Sequence, residues 1–258
     1  MASFERSTEV NPYSSKFDQF WDNAAAAHKD VTRIKCGSGG AGGGGMGGAI
    51  GCPGGGTDPN RWTAFRNLGL TDNELQGLAV FNDPRMANCA SCHTLKPGAK
   101  GYPLFTDFGY DNIGIPRNPD NPFYKMPARW NPDGAKWIDL GLGGYLKSAG
   151  YPPEVYEPAL GKFKVPTLRN VDRRVAPDVV KAYGHNGYFK SLGDVVLFYH
   201  WRAAMDSGMG GGMGGGMSSM FPPPEVDQNR AAMNLFPRPQ VNNIVLFLET
   251  LSDGYLQR

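Results

Sequence analysis

The stretch Asn88-Cys89-Ala90-Ser91-Cys92-His93 sets two cysteines three positions apart, with a histidine directly after the second. This is the C-x-x-C-H pattern of covalent haem attachment. On one helical turn, residues three apart lie side by side, so Cys89 and Cys92 can each bond one vinyl group of a single porphyrin. His93 then falls beneath the ring, where its imidazole can ligate the iron. Two other chemistries use a C-x-x-C pair. A thioredoxin-like redox centre needs a βαβ pattern around it, and a zinc site needs a second ligand pair. The remaining cysteines, Cys36 and Cys52, are not spaced as such a pair. The expected cofactor is therefore one covalent haem c, with His93 as iron ligand.

A chain of 258 residues suits one large domain or two small ones. Its 36 glycines and 21 prolines point to many loops and short ordered elements. The formal net charge of +2 would be offset by the haem propionates and gives no electrostatic case for nucleic acid or an anionic membrane. No apolar run reaches the length of a transmembrane helix. The N-terminal run Met1 to Glu9 lacks the basic and apolar regions of a signal peptide. Covalent haem is normally attached outside the cytoplasm. The expectation is thus a periplasmic or extracellular setting, for a chain that is mature, truncated or part of a longer polypeptide.

Working outward from the motif, Thr71-Asp72-Asn73-Glu74 forms a capping box, and Leu70 and Leu75 flank it as a hydrophobic staple. Leu75, Leu78 and Ala79 extend a buried face until Asn82-Asp83-Pro84 stops the helix. Upstream, Phe17, Phe20, Trp21 and Ala24 make an amphipathic helical stripe over 15–28. Between them, 36–60 is glycine-rich and reads as a surface loop or insertion. In an oxidising compartment Cys36 and Cys52 could close that loop as a disulfide, although spacing alone does not decide the pairing. Downstream, 97–170 is dense in Gly, Pro and Asn and reads as successive turns wrapped on an apolar porphyrin face. A helix is expected after Leu192 through Trp201, and a last one over about 238–252 with Val241, Ile244, Val245, Leu248 and Leu251 on one face. Met209, Met213 and Met217 are soft thioether donors that would suit copper(I), but the glycines between them favour a flexible loop. The division expected is an N-terminal helical segment at 1–35, the loop at 36–60 and a haem domain at 61–258. The fold class expected is all-α, a cytochrome c-like haem domain with long irregular loops.

Several blocks together carry a family resemblance: Leu78 to Pro84, Phe105 to Pro119, Phe163 to Val171, His185-Asn186-Gly187, Leu192 to Tyr199 and Phe247 to Leu251. In order and approximate spacing they resemble the C-terminal haem domain of bacterial di-haem cytochrome c peroxidases and MauG-type proteins. The resemblance spans roughly 70–255, and the residues before about 30 resemble the end of the other half of such proteins. It implies that the terminal helix crosses the helix leading into the haem motif. In the peroxidases a methionine following the His-Asp/Asn-Gly block is the second axial ligand, and in MauG-type proteins a tyrosine. The matching position here is Tyr199, with His200 and Met205 as competitors. A phenolate is a hard anionic donor that favours ferric iron. His185 is implied to lie near the haem or a domain interface, although a hydrogen-bonded core histidine is an equal reading. Arg117 and Arg169 have the guanidinium geometry to pair with haem propionates, or to brace loops.

The family carries two C-x-x-C-H motifs and this chain one. The function expected is a single-haem domain passing electrons to a redox partner protein or an upstream haem domain, on its own or within a larger complex. The alternative is a peroxidase or MauG-like oxidase acting on hydrogen peroxide together with a second haem domain. A structural subunit with a vestigial haem is a third, non-redox reading.

Overall fold

Ser15 opens the first helix, α1 (Lys16–Ala26): its hydroxyl accepts from the Asp18 amide, and the Asp18 carboxylate accepts from the Ser15 amide. The second, α2 (Asp72–Asn82), starts with the expected Thr71/Glu74 capping box, with Leu70 and Leu75 both buried. A strand β1 (Tyr110–Asp111), a short helix α3 (Gly141–Ser148), a single turn α4 (Pro153–Tyr156) and a strand β2 (Phe163–Lys164) follow within the loop-rich middle. The chain ends on α5 (Leu192–Asp206), capped by Ser191, and α6 (Gln240–Glu249). The computed structural model describes residues 12–37, 52, 57–174, 176, 179–208 and 220–257.

The core lies where α6 crosses α2, with α1 packed on both. Gly77 makes the crossing possible, because a Cβ there would stand 1.9 Å from the Asn243 carbonyl oxygen. Phe17, Phe81, Phe105 and Phe247 meet edge to face at this junction, with centroids 5.2–6.2 Å apart. Phe17 and Phe20 of the 1–35 segment therefore share one core with the residues of 61–258. Lys16 adds an ion pair to Glu74 at 2.7 Å between α1 and α2. A second apolar cluster, Ile115, Phe189, Phe198 and Trp201, sits against α5.

The all-α expectation holds apart from one two-stranded antiparallel ladder, with Tyr110 opposite Lys164 and Asp111 opposite Phe163. The middle of the chain is held by turns and 3₁₀ segments, as its composition predicts, but α3 is an element that the turn-rich reading omits. Cys36 and Cys52 are joined as a disulfide. Most of the glycine-rich run they bracket, and Met209, Met213 and Met217, lie outside the described residues. Among the described residues no helix is long and apolar enough to cross a membrane.

Candidate haem site

Beyond α2 the chain turns through Asn88, held at φ +52°, into a 3₁₀ turn over Cys89–Ser91. The amides of Cys92 and His93 both donate to the Cys89 carbonyl, at 3.3 and 2.9 Å, so the motif is wound as one turn. Cys89 and Cys92 are free and not joined to each other. Burial pushes the Cys89 thiol up to about 12. Burial, and then the Asp111 carboxylate, push Cys92 up to about 11. Both thiols are therefore protonated at neutral pH, and Cys92 Sγ donates to Asp111 Oδ2 at 3.2 Å.

His93 Nδ1 lies 2.9 Å from the Phe105 carbonyl oxygen. A carbonyl only accepts, so Nδ1 carries the proton and Nε2 keeps its lone pair for a metal. Burial lowers the imidazole below its ordinary value and outweighs the Phe105 and Pro166 carbonyls and Asp107, so the ring is neutral. Phe105 reaches this position at φ +53°, a region that non-glycine residues enter only under constraint. It is fully buried in the aromatic core, which supplies that constraint. The Asp107 amide adds a bond to the Cys92 carbonyl at 2.9 Å, tying the following loop to the motif. Two unlinked thiols on one turn and an oriented neutral imidazole are the donor set that covalent haem requires. A separate cleft of about 450 Å³ opens along Ala90, Ser91, Thr94 and Phe108, and neither thiol nor His93 lines it.

Of the three candidates for the opposite ligand, Tyr199 is the one packed with Cys89 and Ala90 against the main core. Burial is the main cause that raises its phenol above the ordinary value. His200, one residue on and rotated about 100° around α5, turns away: its Nδ1 lies 2.8 Å from the Phe236 carbonyl oxygen and its ring meets Phe236 edge-on. Met205 belongs to the second cluster beside Trp201 and Phe198.

The remaining predicted residues are placed apart from the thiols. Arg169, expected beside a propionate, directs one nitrogen to both oxygens of Asp18 at 2.7 and 2.8 Å, in a pair with no exposed side-chain surface. Arg117 stacks on Tyr124 and donates to its hydroxyl and to the Ala135 and Trp137 carbonyls, which braces the 117–137 loop. His185 stacks on Phe163 at 3.5 Å and sets Nε2 3.6 Å from Glu225. Since Phe163 is the ladder partner of Asp111, His185 stands two side chains from Cys92. Phe105, Asp111 and Glu225 were not singled out from sequence. Asp111 and Phe105 fall within a run quoted above for its family likeness, but nothing in their spacing signals a bond to the motif.

The chain is 32% identical over 173 residues to the methylamine utilization protein MauG of Paracoccus denitrificans, covering 64% of this chain and 39% of that protein. It is 29% identical over 151 residues to the cytochrome-c peroxidase IdrP1 of Denitromonas iodatirespirans, covering 55% of this chain and 35% of the relative. The chain is thus similar to proteins of the MauG and di-haem peroxidase type. A variant of the di-haem peroxidase BthA from Burkholderia thailandensis superposes over 97% of this chain and 48% of its own, with a TM-score of 0.56 at 25% identity. The chain thus spans less than half of each of these relatives. No family model matches the sequence.

Proposed function

We propose that this chain would hold one haem c through thioethers at Cys89 and Cys92, with His93 and Tyr199 as its iron ligands, and would pass single electrons to a redox partner. The observation that supports the reading is two free thiols and an imidazole with its Nδ1 already committed on one turn, with Tyr199 packed against the same core as Cys89. When bound, the haem supplies a one-electron ferric/ferrous couple. The protein does the rest. The Nδ1–H bond to Phe105 fixes the imidazole plane and makes Nε2 a stronger donor. Tyr199 would supply an oxygen donor, which favours the oxidised iron. The carbonyl that holds His93 belongs to Phe105, a member of the edge-to-face core of Phe17, Phe81, Phe105 and Phe247. We place the protein in the periplasm or outside the cell, a reading supported by the Cys36–Cys52 disulfide.

Low-temperature EPR of the ferric, haem-loaded protein tests the ligand set. The wild type should be low-spin, and Tyr199→Phe should convert it to high-spin while the haem stays attached on a denaturing gel. A Tyr199→Phe spectrum identical to wild type would remove Tyr199 from the iron.

The second reading is a peroxidase or MauG-like oxidase working with a second haem domain, favoured by the names of the relatives and by their greater length. It requires peroxide turnover with an electron donor when that domain is supplied, lost in His93→Ala. Absence of turnover in the reconstituted pair would leave electron transfer as the function.

A further inference from the structure

We infer that Asp111 sets the reduction potential of this site, acting as a fixed negative charge built into the haem attachment surface. The inference rests on the haem reading above. Its carboxylate touches the motif directly, with Oδ2 3.2 Å from Cys92 Sγ, the sulfur that would become a thioether. The contact is held from both sides. Asp111 pairs with Phe163 across the β1–β2 ladder, and the Phe163 ring is stacked on His185. The next residue, Asn112, is buried and donates its amide nitrogen to the Val226 and Gln228 carbonyls at 3.0 and 2.7 Å. Two ordered neighbours leave the Asp111 backbone little freedom to carry the carboxylate away from the motif.

The charge is not cancelled locally, since none of the ion pairs among the described residues involves Asp111. The neighbouring cation, Lys164, sets its Nζ 3.2 Å from the Val165 carbonyl and over the Phe108 ring. Asp107 is the other carboxylate nearby, but it is exposed and caps the Gly109 amide, so water screens it. The field of Asp111 acts on Cys92, an attachment point, and on the two proposed iron ligands Tyr199 and His93, at the last of which Asp107 acts ahead of it. Reduction adds one electron and lowers the charge of the iron by one. A partly buried carboxylate at this position therefore opposes reduction, more strongly than an exposed one would. Asp111 is a positioning residue for charge and takes no part in bonding the iron.

The experiment is a spectroelectrochemical titration of the full haem-loaded chain as wild type, Asp111→Asn, Asp111→Glu and Asp107→Asn. Covalent haem is first verified on a denaturing gel, and the ligand set by EPR. Asp111→Asn should raise the ferrous-to-ferric ratio at a fixed potential about tenfold, an upward midpoint shift of about 59 mV for one electron. Asp111→Glu and Asp107→Asn should each change that ratio by less than about threefold. An Asp111→Asn protein with attached haem, wild-type EPR and an unmoved midpoint overturns the inference. If Asn prevents attachment, Asp111→Ser is titrated in its place, and failure of both to attach haem overturns it too, because the residue is then structural. A wild-type chain without covalent haem would instead refute the proposed function, and that result is read on the gel before any titration.

Discussion

The helical part of the molecule and its looped middle solve the same problem by opposite means. Where α1, α2 and α6 meet, backbone groups are satisfied within the helices, and the contacts between elements are almost wholly apolar: Phe17, Phe20, Leu75, Leu78, Phe81, Ile244 and Phe247 are all buried. In the middle of the chain the side chains do the pairing. Asn112, Asn118, Asn131, Asn186 and Asn229 each donate their amide nitrogen to backbone carbonyls, replacing the ladders that the loops lack. The haem motif sits at the seam. His93 donates its hydrogen bond to the carbonyl of Phe105, a residue buried in the aromatic core at the start of the looped part, and Cys92 meets Asp111 on the first strand. Stability is thus concentrated in one region and the polar groups that shape the site in the other.

The sharpest test of that division is the bond that spans it. Asp18 on α1 and Arg169 in the looped part form an ion pair with both side chains fully buried. Removing one partner strands the other charge without water, and Asp18→Ala should cost about 4 kcal/mol in chemical denaturation. The double variant Asp18→Ala/Arg169→Met should recover much of that loss, because no charge is left behind. If Asp18→Ala unfolds at the wild-type midpoint, the two regions are not clamped there. The next largest effect tests the helical part alone. Gly77→Ala drives a methyl group into the Asn243 backbone at the α2–α6 crossing and should cost about 3 kcal/mol. A neutral outcome would mean that the crossing yields, and that this region is less tightly packed than its contacts imply.

The parts of this fold legible in the sequence were those written locally. The C-x-x-C-H turn, the Thr71–Glu74 box with its Leu70/Leu75 staple, and the periodic stripes of α1, α5 and α6 each draw on residues within a few positions of one another. What stayed hidden is written across long separations. Asp18 and Arg169 are 151 positions apart, so neither looks like half of a pair. Gly77 reads as a weak spot in a helix until Asn243 is set against it. Helix α3 was missed because Gly141, Gly143 and Gly144 erase its periodicity, yet Gly143 is required: a Cβ there would stand 2.4 Å from the Leu160 amide nitrogen. The two-residue strands are too short to show alternation. At the site, the attachment turn was readable and its partners Phe105 and Asp111 were not, since a carbonyl acceptor or a single carboxylate carries no pattern.

The smallest expected effect belongs to the looped part and is a matter of pH. Glu225 has an almost fully buried side chain that accepts from Asn186 at 3.2 Å and faces His185 Nε2 at 3.6 Å. Burial alone would raise its carboxyl, but the bonds from His185, Asn186 and the Asp139 amide outweigh it and hold the group below its ordinary value of 4.5. A carboxyl depressed in the folded state stabilises the fold in full above its unfolded value and loses that contribution as the pH falls through the folded one. Glu225→Gln keeps the shape and removes the charge. It should be less stable than wild type by about 1.5 kcal/mol at pH 7, and the gap should close as the pH drops below 4.5. Denaturation midpoints of both proteins at pH 7, 5 and 3 measure it. A gap that stays constant across that range would show that Glu225 acts by shape, and the looped part would then be held by neutral amides, with no charge needed.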